Sequence, residues 1–237
     1  MISRLLVILL LVVFLVLFFK CRSRFVSTTE NWTTHIDAIY YINIDYRTDR
    51  KEHFLNEMKK MQVPESKIIR IPAVHLKDRG DLGCTKSHIR AMETFLKTNF
   101  QHYLVFEDDF EFDCTLETLN TCFYNFFKNK IDYDVCMLAS NTIDTKPTKY
   151  PFLRKIISAQ TTSGFMVSRK FVPRLLENFI EGSVLIERSY DTEEKSIDIQ
   201  GKYNCDQWWK RLQPISKWYE FYPVLGKQYG SKSDVLT

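Results

Sequence analysis

Apolar and polar positions alternate in blocks along this chain, and the blocks change period. Ala38 to Ile44 (AIYYINI) is a short apolar run rich in β-branched and aromatic residues, the pattern of a buried strand. Phe54, Leu55, Met58 and Met61 then recur at helical spacing, with Thr48 or Asp49 available as a cap and Pro64 as a stop. Lys67 to Ala73 reads as a second strand and Arg79 to Gly83 as a turn. Cys84 to Lys97 reads as a helix with Ile89, Met92, Phe95 and Leu96 on one side. His102 to Glu107 gives a third strand, Thr115 to Lys128 a helix, and Tyr133 to Ala139 a fourth strand. The order β-α-β-α-β-α-β predicts a mostly parallel sheet covered by helices.

Beyond Ser140 the period is lost. Residues 141–160, with Pro147 and Pro151, read as a polar loop. Thr162 to Ser168 reads as a short strand, Arg169 to Glu181 as a helix that tolerates Pro173 in its first turn, and residues 182–202 as a polar loop. The block from Tyr203 to Thr237 holds three of the four tryptophans.

The longest apolar run, Leu5 to Phe19, spans about 22 Å as a helix, short of the ~30 Å hydrocarbon core. With Arg4 and Lys20 snorkelling, residues 1–20 suffice for an uncleaved signal anchor. No small-x-small cleavage site follows. Residues 21–36 read as a stem and residues 37–237 as one domain. The basic residues after the segment place the domain on the cytoplasmic side. The sequon Asn31-Trp32-Thr33 suits a lumenal one, so the side stays open. Charge follows from this segment. The net +4 equals the four basic residues within residues 1–24, a stretch without acids, so the body is neutral and nucleic-acid binding is excluded as an expectation. The six cysteines form no C-x-x-C and no zinc-spaced Cys/His pairing, which argues against a structural metal site.

The chemistry gathers at strand ends. The third strand runs into Glu107-Asp108-Asp109, three carboxylates that repel unless a positive group sits among them. Ligands of open α/β sheets bind beyond the carboxyl ends of the strands, where such a cluster can hold a hard divalent cation. Among seven glycines there is no G-x-G and no P-loop, so a phosphorylated ligand would need cation, Arg and Lys in place of a backbone cradle. Asn43, Asp45, Arg47 and Arg50 follow the first strand. Arg47 and Arg50 can fork onto phosphate, and Asn43 and Asp45 can bind ribose or base edges. Ser87 and His88 are placed in a first helical turn, where backbone N–H groups favour anions. Asp206 stands beside Trp208 and Trp209, an aromatic wall that could face a sugar.

Read together, Asn43-Ile-Asp45-Tyr-Arg47-Thr-Asp49-Arg50, Leu82-Gly83-Cys84-Thr-Lys86-Ser87-His88, Glu107-Asp108-Asp109 and the tail Asp206-Gln-Trp208-Trp209 with Gln228 and Ser233-Asp234 resemble glycosyltransferase family 25 over residues 38 to 235. The resemblance implies a GT-A-like, Rossmann-type fold, a UDP-sugar donor, a divalent cation (commonly Mn2+) and inverting transfer of a hexose to a hydroxyl on a glycan or protein. Carried over by position, Asp109 and Glu107 would hold the metal. Asn43, Asp45, Arg47, Arg50, Ser87, Asp108 and Gln228 would bind the donor, and Asp206, as the base, and His88 would be catalytic. The alternatives are an inactive sugar-binding module and, from paired carboxylates alone, a glycoside hydrolase.

Overall fold

A computed structural model describes residues 30–191 and 201–230. The anchor at 1–20, the first part of the stem and Ser233-Asp234 lie outside the described residues. Among the described residues, no helix is long and apolar enough to cross a membrane.

Among the described residues, ten strands form an eight-stranded and a two-stranded sheet. The large sheet has the order β2-β1-β3-β8-β5-β9-β7-β6, with β1 at Ile39–Asn43, β2 at Ile68–Pro72, β3 at His102–Glu107, β5 at Val135–Met137, β6 at Asn141–Pro147, β7 at Leu153–Gln160, β8 at Gly164–Ser168 and β9 at Trp218–Phe221. The small sheet pairs β4 (Phe110–Phe112) with β10 (Gly226–Gln228) antiparallel. Strand β1 runs parallel to both β2 and β3. The fourth predicted strand, β5, does not pair with them. β8 inserts antiparallel between β3 and β5. Six of the eight strands point one way, and β7 and β8 oppose them, so the sheet is mixed with a parallel majority of directions.

Helices cover both faces because alternate strand residues do. Ile39 and Tyr41 of β1 join one core with Phe54 and Met58 of α1 (Thr48–Lys60) and Leu119, Phe123 and Phe126 of α3 (Leu116–Lys128). Tyr40 and Ile42 join the other, with Met92 and Phe95 of α2 (Gly80–Leu96) and Leu175 and Phe179 of α4 (Val172–Asp191). Short helix α5 (Cys205–Trp208) and two 3-10 turns add Trp209 to this second core.

Five expectations change. Neither Thr48 nor Asp49 caps α1; its N-cap is Arg47, which makes no side-chain cap hydrogen bond. Residues 141–160 are a β6–β7 hairpin and not a loop. Strand β6 is an edge strand, exposed or half-exposed along its length, and register shifts at Thr142, Asp144 and Thr145 hide the two-residue period. Helix α2 begins at Gly80, so the predicted turn is its first turn. Gly83 is there for close approach, since a Cβ would come within 2.5 Å of the Val74 carbonyl oxygen. Helix α4 continues past Glu181 to Asp191. The stem ends earlier than Ile36. Trp32 and Ile36 are 2% and 1% exposed, Trp32 Nε1 donates to the Met61 carbonyl (3.0 Å), and Lys67 Nζ donates to the Thr33 and Ile36 carbonyls. The sequon is folded into this clamp. Asn31 Oδ1 accepts from the Thr33 amide and hydroxyl, and its Nδ2 donates to Gln62 O.

Candidate functional site

The carboxyl ends of β1, β2 and β3 open into a cleft of about 100 Å³. Arg50, Cys84, Ser87, His88, Glu107, Asp108, Asp109 and Gln228 contribute to its walls. The sequence therefore predicts a true assembly of distant residues, but their roles differ from those expected of several of them.

Asp108 and Asp109 form the turn between β3 and β4 and are 5% and 4% exposed. Asn43, at the end of β1, donates to Asp108 Oδ2 (2.7 Å) and to the Arg47 carbonyl, while its Oδ1 accepts from Arg70 Nε (3.0 Å). Asn43 is thus saturated by protein and is a positioning residue; no atom of it is aimed at a ribose. Arg50 comes from the first turn of α1. Its Nη1 lies 3.1 Å from Asp108 Oδ1 and 3.2 Å from Asp109 Oδ2, with side-chain exposures of 11%, 7% and 6%. This arginine already neutralises the acidic turn. Gln228 of β10 donates to Asp109 Oδ2 (3.0 Å), so the small sheet closes the site from the other side.

One carboxylate oxygen of Asp108 and Asp109 is left over. Asp109 Oδ1 is buried and has no hydrogen-bond donor. A desolvated acceptor without a partner costs about 1–3 kcal/mol. Burial, and then the charge of Glu107, push the Asp109 carboxyl up to about 7. Burial also raises Asp108, against the pull of Asn43 and Arg50. An orphan carboxylate oxygen facing a cleft fits a hard divalent cation, which would satisfy the atom and favour its charged form.

Glu107 looks elsewhere. Its Oε1 accepts from Thr162 Oγ1 (2.7 Å), lies 3.0 Å from His88 Nε2 and 3.7 Å from Cys84 Sγ. Burial works against its charge, but the hydrogen bond from His88, with Thr162 and Cys84, holds its carboxyl below the ordinary range. His88 is 1% exposed and packs between Phe165 and Phe179.

The remaining candidates are placed as follows. Arg47 forms a fork with Asp49 (2.9 and 2.8 Å), and Asp45 pairs with Arg70 at the surface; neither lines the cleft. Ser87 Oγ donates to the Gly83 carbonyl (2.6 Å) and accepts from the Val74 amide (2.8 Å), a structural brace. With α2 starting at Gly80, Ser87 and His88 lie beyond the first turn, so the helix N-terminus does not act on a ligand through them. Asp206, in α5, accepts from the Thr161 amide (3.1 Å), and burial raises its carboxyl against that bond. It is not among the residues that line the cleft, although the charge of Glu107 also acts on it. The aromatic wall dissolves. Trp209 is wholly buried and donates to Ala159 O, and Trp208 packs on Tyr203 and under Arg211. Residues that the pattern did not single out are Thr162, which fixes Glu107, and Arg70, which fixes Asn43. A hydroxyl or guanidinium in or beside a short strand carries no local signal of such a long-range bond.

Comparison with known proteins adds the following. The model for Glycosyltransferase family 25 (LPS biosynthesis protein) matches residues 78–181. That stretch holds Ser87, His88 and the carboxylates 107–109, and leaves out Asn43, Arg50, Asp206 and Gln228. Procollagen galactosyltransferase 1-A of Xenopus laevis is 22% identical over 170 residues, covering 59% of this chain and 28% of that protein. The chain thus spans less than a third of that relative's length. Two solved structures overlap more broadly. Mannose-1-phosphate geranyltransferase from Thermus thermophilus is 9% identical, covers 84% of this chain and 75% of its own, and has a TM-score of 0.45. A glycosyltransferase involved in the glycosylation of the major capsid of PBCV-1 is 11% identical, covers 84% and 95%, and has a TM-score of 0.44. At these scores neither likeness bears on chemistry.

Proposed function

We propose, from the match of residues 78–181 to the model for glycosyltransferase family 25, that the chain moves a hexose from a UDP-sugar to a hydroxyl of a glycan or protein acceptor, with inversion, on a GT-A-like scaffold. The observation that carries the reading is the orphaned, buried Asp109 Oδ1 at the end of β3, on the wall of the cleft. A divalent cation bound there would stabilise the charge that grows on the leaving diphosphate.

The chain's own groups do the rest. Arg50 and Gln228 fix the Asp109 carboxylate from two sides, so its free oxygen is aimed without reorganisation. Asn43 does the same for Asp108. The cleft walls from Ile42, Ala73, Val74 and Leu76 exclude water from the donor. Asp206, its carboxyl raised by burial, would take the proton of the acceptor hydroxyl. The segment at residues 1–20 would tether the domain to a membrane.

The test is release of UDP from a panel of UDP-sugars with and without Mn2+, on the wild type, Asp109→Asn and Asp206→Asn. Asp109→Asn loses transfer while keeping the fold; Asp206→Asn keeps UDP binding and slows transfer. Binding with no turnover on any donor would make the protein a sugar-binding module, and no binding of UDP with or without Mn2+ would end the transferase reading.

A further inference from the structure

Glu107 does not share its Oε1 with Asp109; it shares it with Cys84 and His88. Cys84 and His88 are four residues apart on α2, so both side chains project from one helix face toward the end of β3. One ligand atom from each of Cys84, His88 and Glu107 falls within 4.8 Å of the others. Tetrahedral Zn2+ with thiolate, imidazole and carboxylate would set the sulfur-to-oxygen distance at about 3.6 Å and nitrogen-to-oxygen at about 3.4 Å. The corresponding separations here are 3.7 and 3.0 Å. Along those two edges the groups need to move only by tenths of an ångström, and the Cys84 sulfur lies within 4.8 Å of the His88 ligand nitrogen.

Support from behind is present as well. Thr162 Oγ1 fixes Glu107 Oε1 (2.7 Å) and also lies 3.9 Å from Cys205 Sγ. The imidazole has no hydrogen bond through Nδ1; Phe165 and Phe179 hold the ring so that Nε2 points into the cluster. All three groups line the cleft, the Glu107 side chain keeps 18% exposure, and the Cys205 thiol is a hydrogen-bonding neighbour of Cys84.

We propose that Cys84, His88 and Glu107 form a site for a borderline-soft divalent cation of the Zn2+ class, distinct from the hard-cation position at Asp109. Sulfur, imidazole and carboxylate select Zn2+ or Co2+ over Mg2+ or Ca2+. On binding, Cys84 releases its thiol proton to solvent as the sulfur–metal bond forms.

The full chain, stripped with a chelator, is titrated with Co2+ and followed by absorption and by thermal midpoint. The expected result is a thiolate-to-cobalt charge-transfer band, competed away by Zn2+, and a raised midpoint. The band disappears in Cys84→Ser and persists in Asp109→Asn and Cys205→Ser. Thr162→Val, which removes only the hydroxyl behind Glu107, weakens Co2+ binding about 10- to 100-fold. Circular dichroism confirms that each variant folds, and His88→Gln serves where Cys84→Ser does not. No band in the wild type, a band that survives in both Cys84→Ser and His88→Gln, or one lost in Asp109→Asn or Cys205→Ser overturns the assignment.

Discussion

Removing Arg50 should expose how much the acidic turn costs to fold. In the wild type one guanidinium nitrogen sits 3.1 Å from Asp108 and 3.2 Å from Asp109, and all three side chains are nearly buried. Breaking a buried pair by deleting one partner leaves an uncompensated charge and costs about 3–5 kcal/mol. For a chain of this size, 1 kcal/mol moves the midpoint by roughly 2–4 °C, so Arg50→Ala should lose about 6–20 °C at pH 8. The cost should depend on pH. The folded Asp109 carboxyl lies at about 7, above the 3.8 of the unfolded chain, and without Arg50 it rises further. Between those values the folded state holds the extra proton, so stability falls as pH rises through the window. At pH 5 Asp109 is already neutral and only the contact with Asp108 can still hold a charge pair, so Arg50→Ala should cost less there than at pH 8. Urea denaturation of chelator-treated protein at pH 5 and pH 8 measures both. An equal loss at the two pH values, or less than about 1 kcal/mol at pH 8, would refute the claim that Arg50 compensates buried charge.

Three further outcomes follow from packing. Trp32→Ala should destabilise by about 3–5 kcal/mol, seen in urea midpoints, because the indole is 2% exposed among Phe112 and Phe123. Gly226→Ala should cost about 1–3 kcal/mol and weaken transfer, because a Cβ would meet the Phe110 ring at 2.3 Å and push β10, with Gln228, off Asp109; the readouts are thermal midpoint and UDP release. Burial pushes the Cys122 thiol up to about 12, so native protein at pH 8 should leave Cys122 unalkylated by iodoacetamide, as peptide mass mapping would reveal.

The first half of the fold was legible because its signals are local. The strand ending at Glu107, the Thr115 cap of α3, whose Oγ1 accepts from the Thr118 amide, and the apolar faces of α1 and α3 are written in neighbouring residues. The second half was not, because strand order depends on distant pairing. Nothing in Gly164 to Ser168 says that it will slide between β3 and β5. The hairpin at 141–160 hid behind a polar edge strand whose backbone, more than its side chains, does the pairing. The site divides the same way. That acids end β3 is visible in sequence, but which partner each acid takes is a long-range matter: Arg50 for Asp108 and Asp109, and His88 with Thr162 for Glu107. Arg47, Asp45 and Ser87 share the right neighbourhoods and spend their hydrogen bonds on the scaffold. Asp109 was read as a ligand from its position in the motif; only the geometry shows which of its oxygens is unclaimed.

The Trp32 and Lys67 clamp also sets a direction for the whole molecule. It seizes the polypeptide at the amino ends of β1 and β2, while the cleft opens at their carboxyl ends, a strand's length of about 17 Å away. The described chain thus enters at the floor of the sheet, at the opposite end from the mouth where a bulky acceptor would approach.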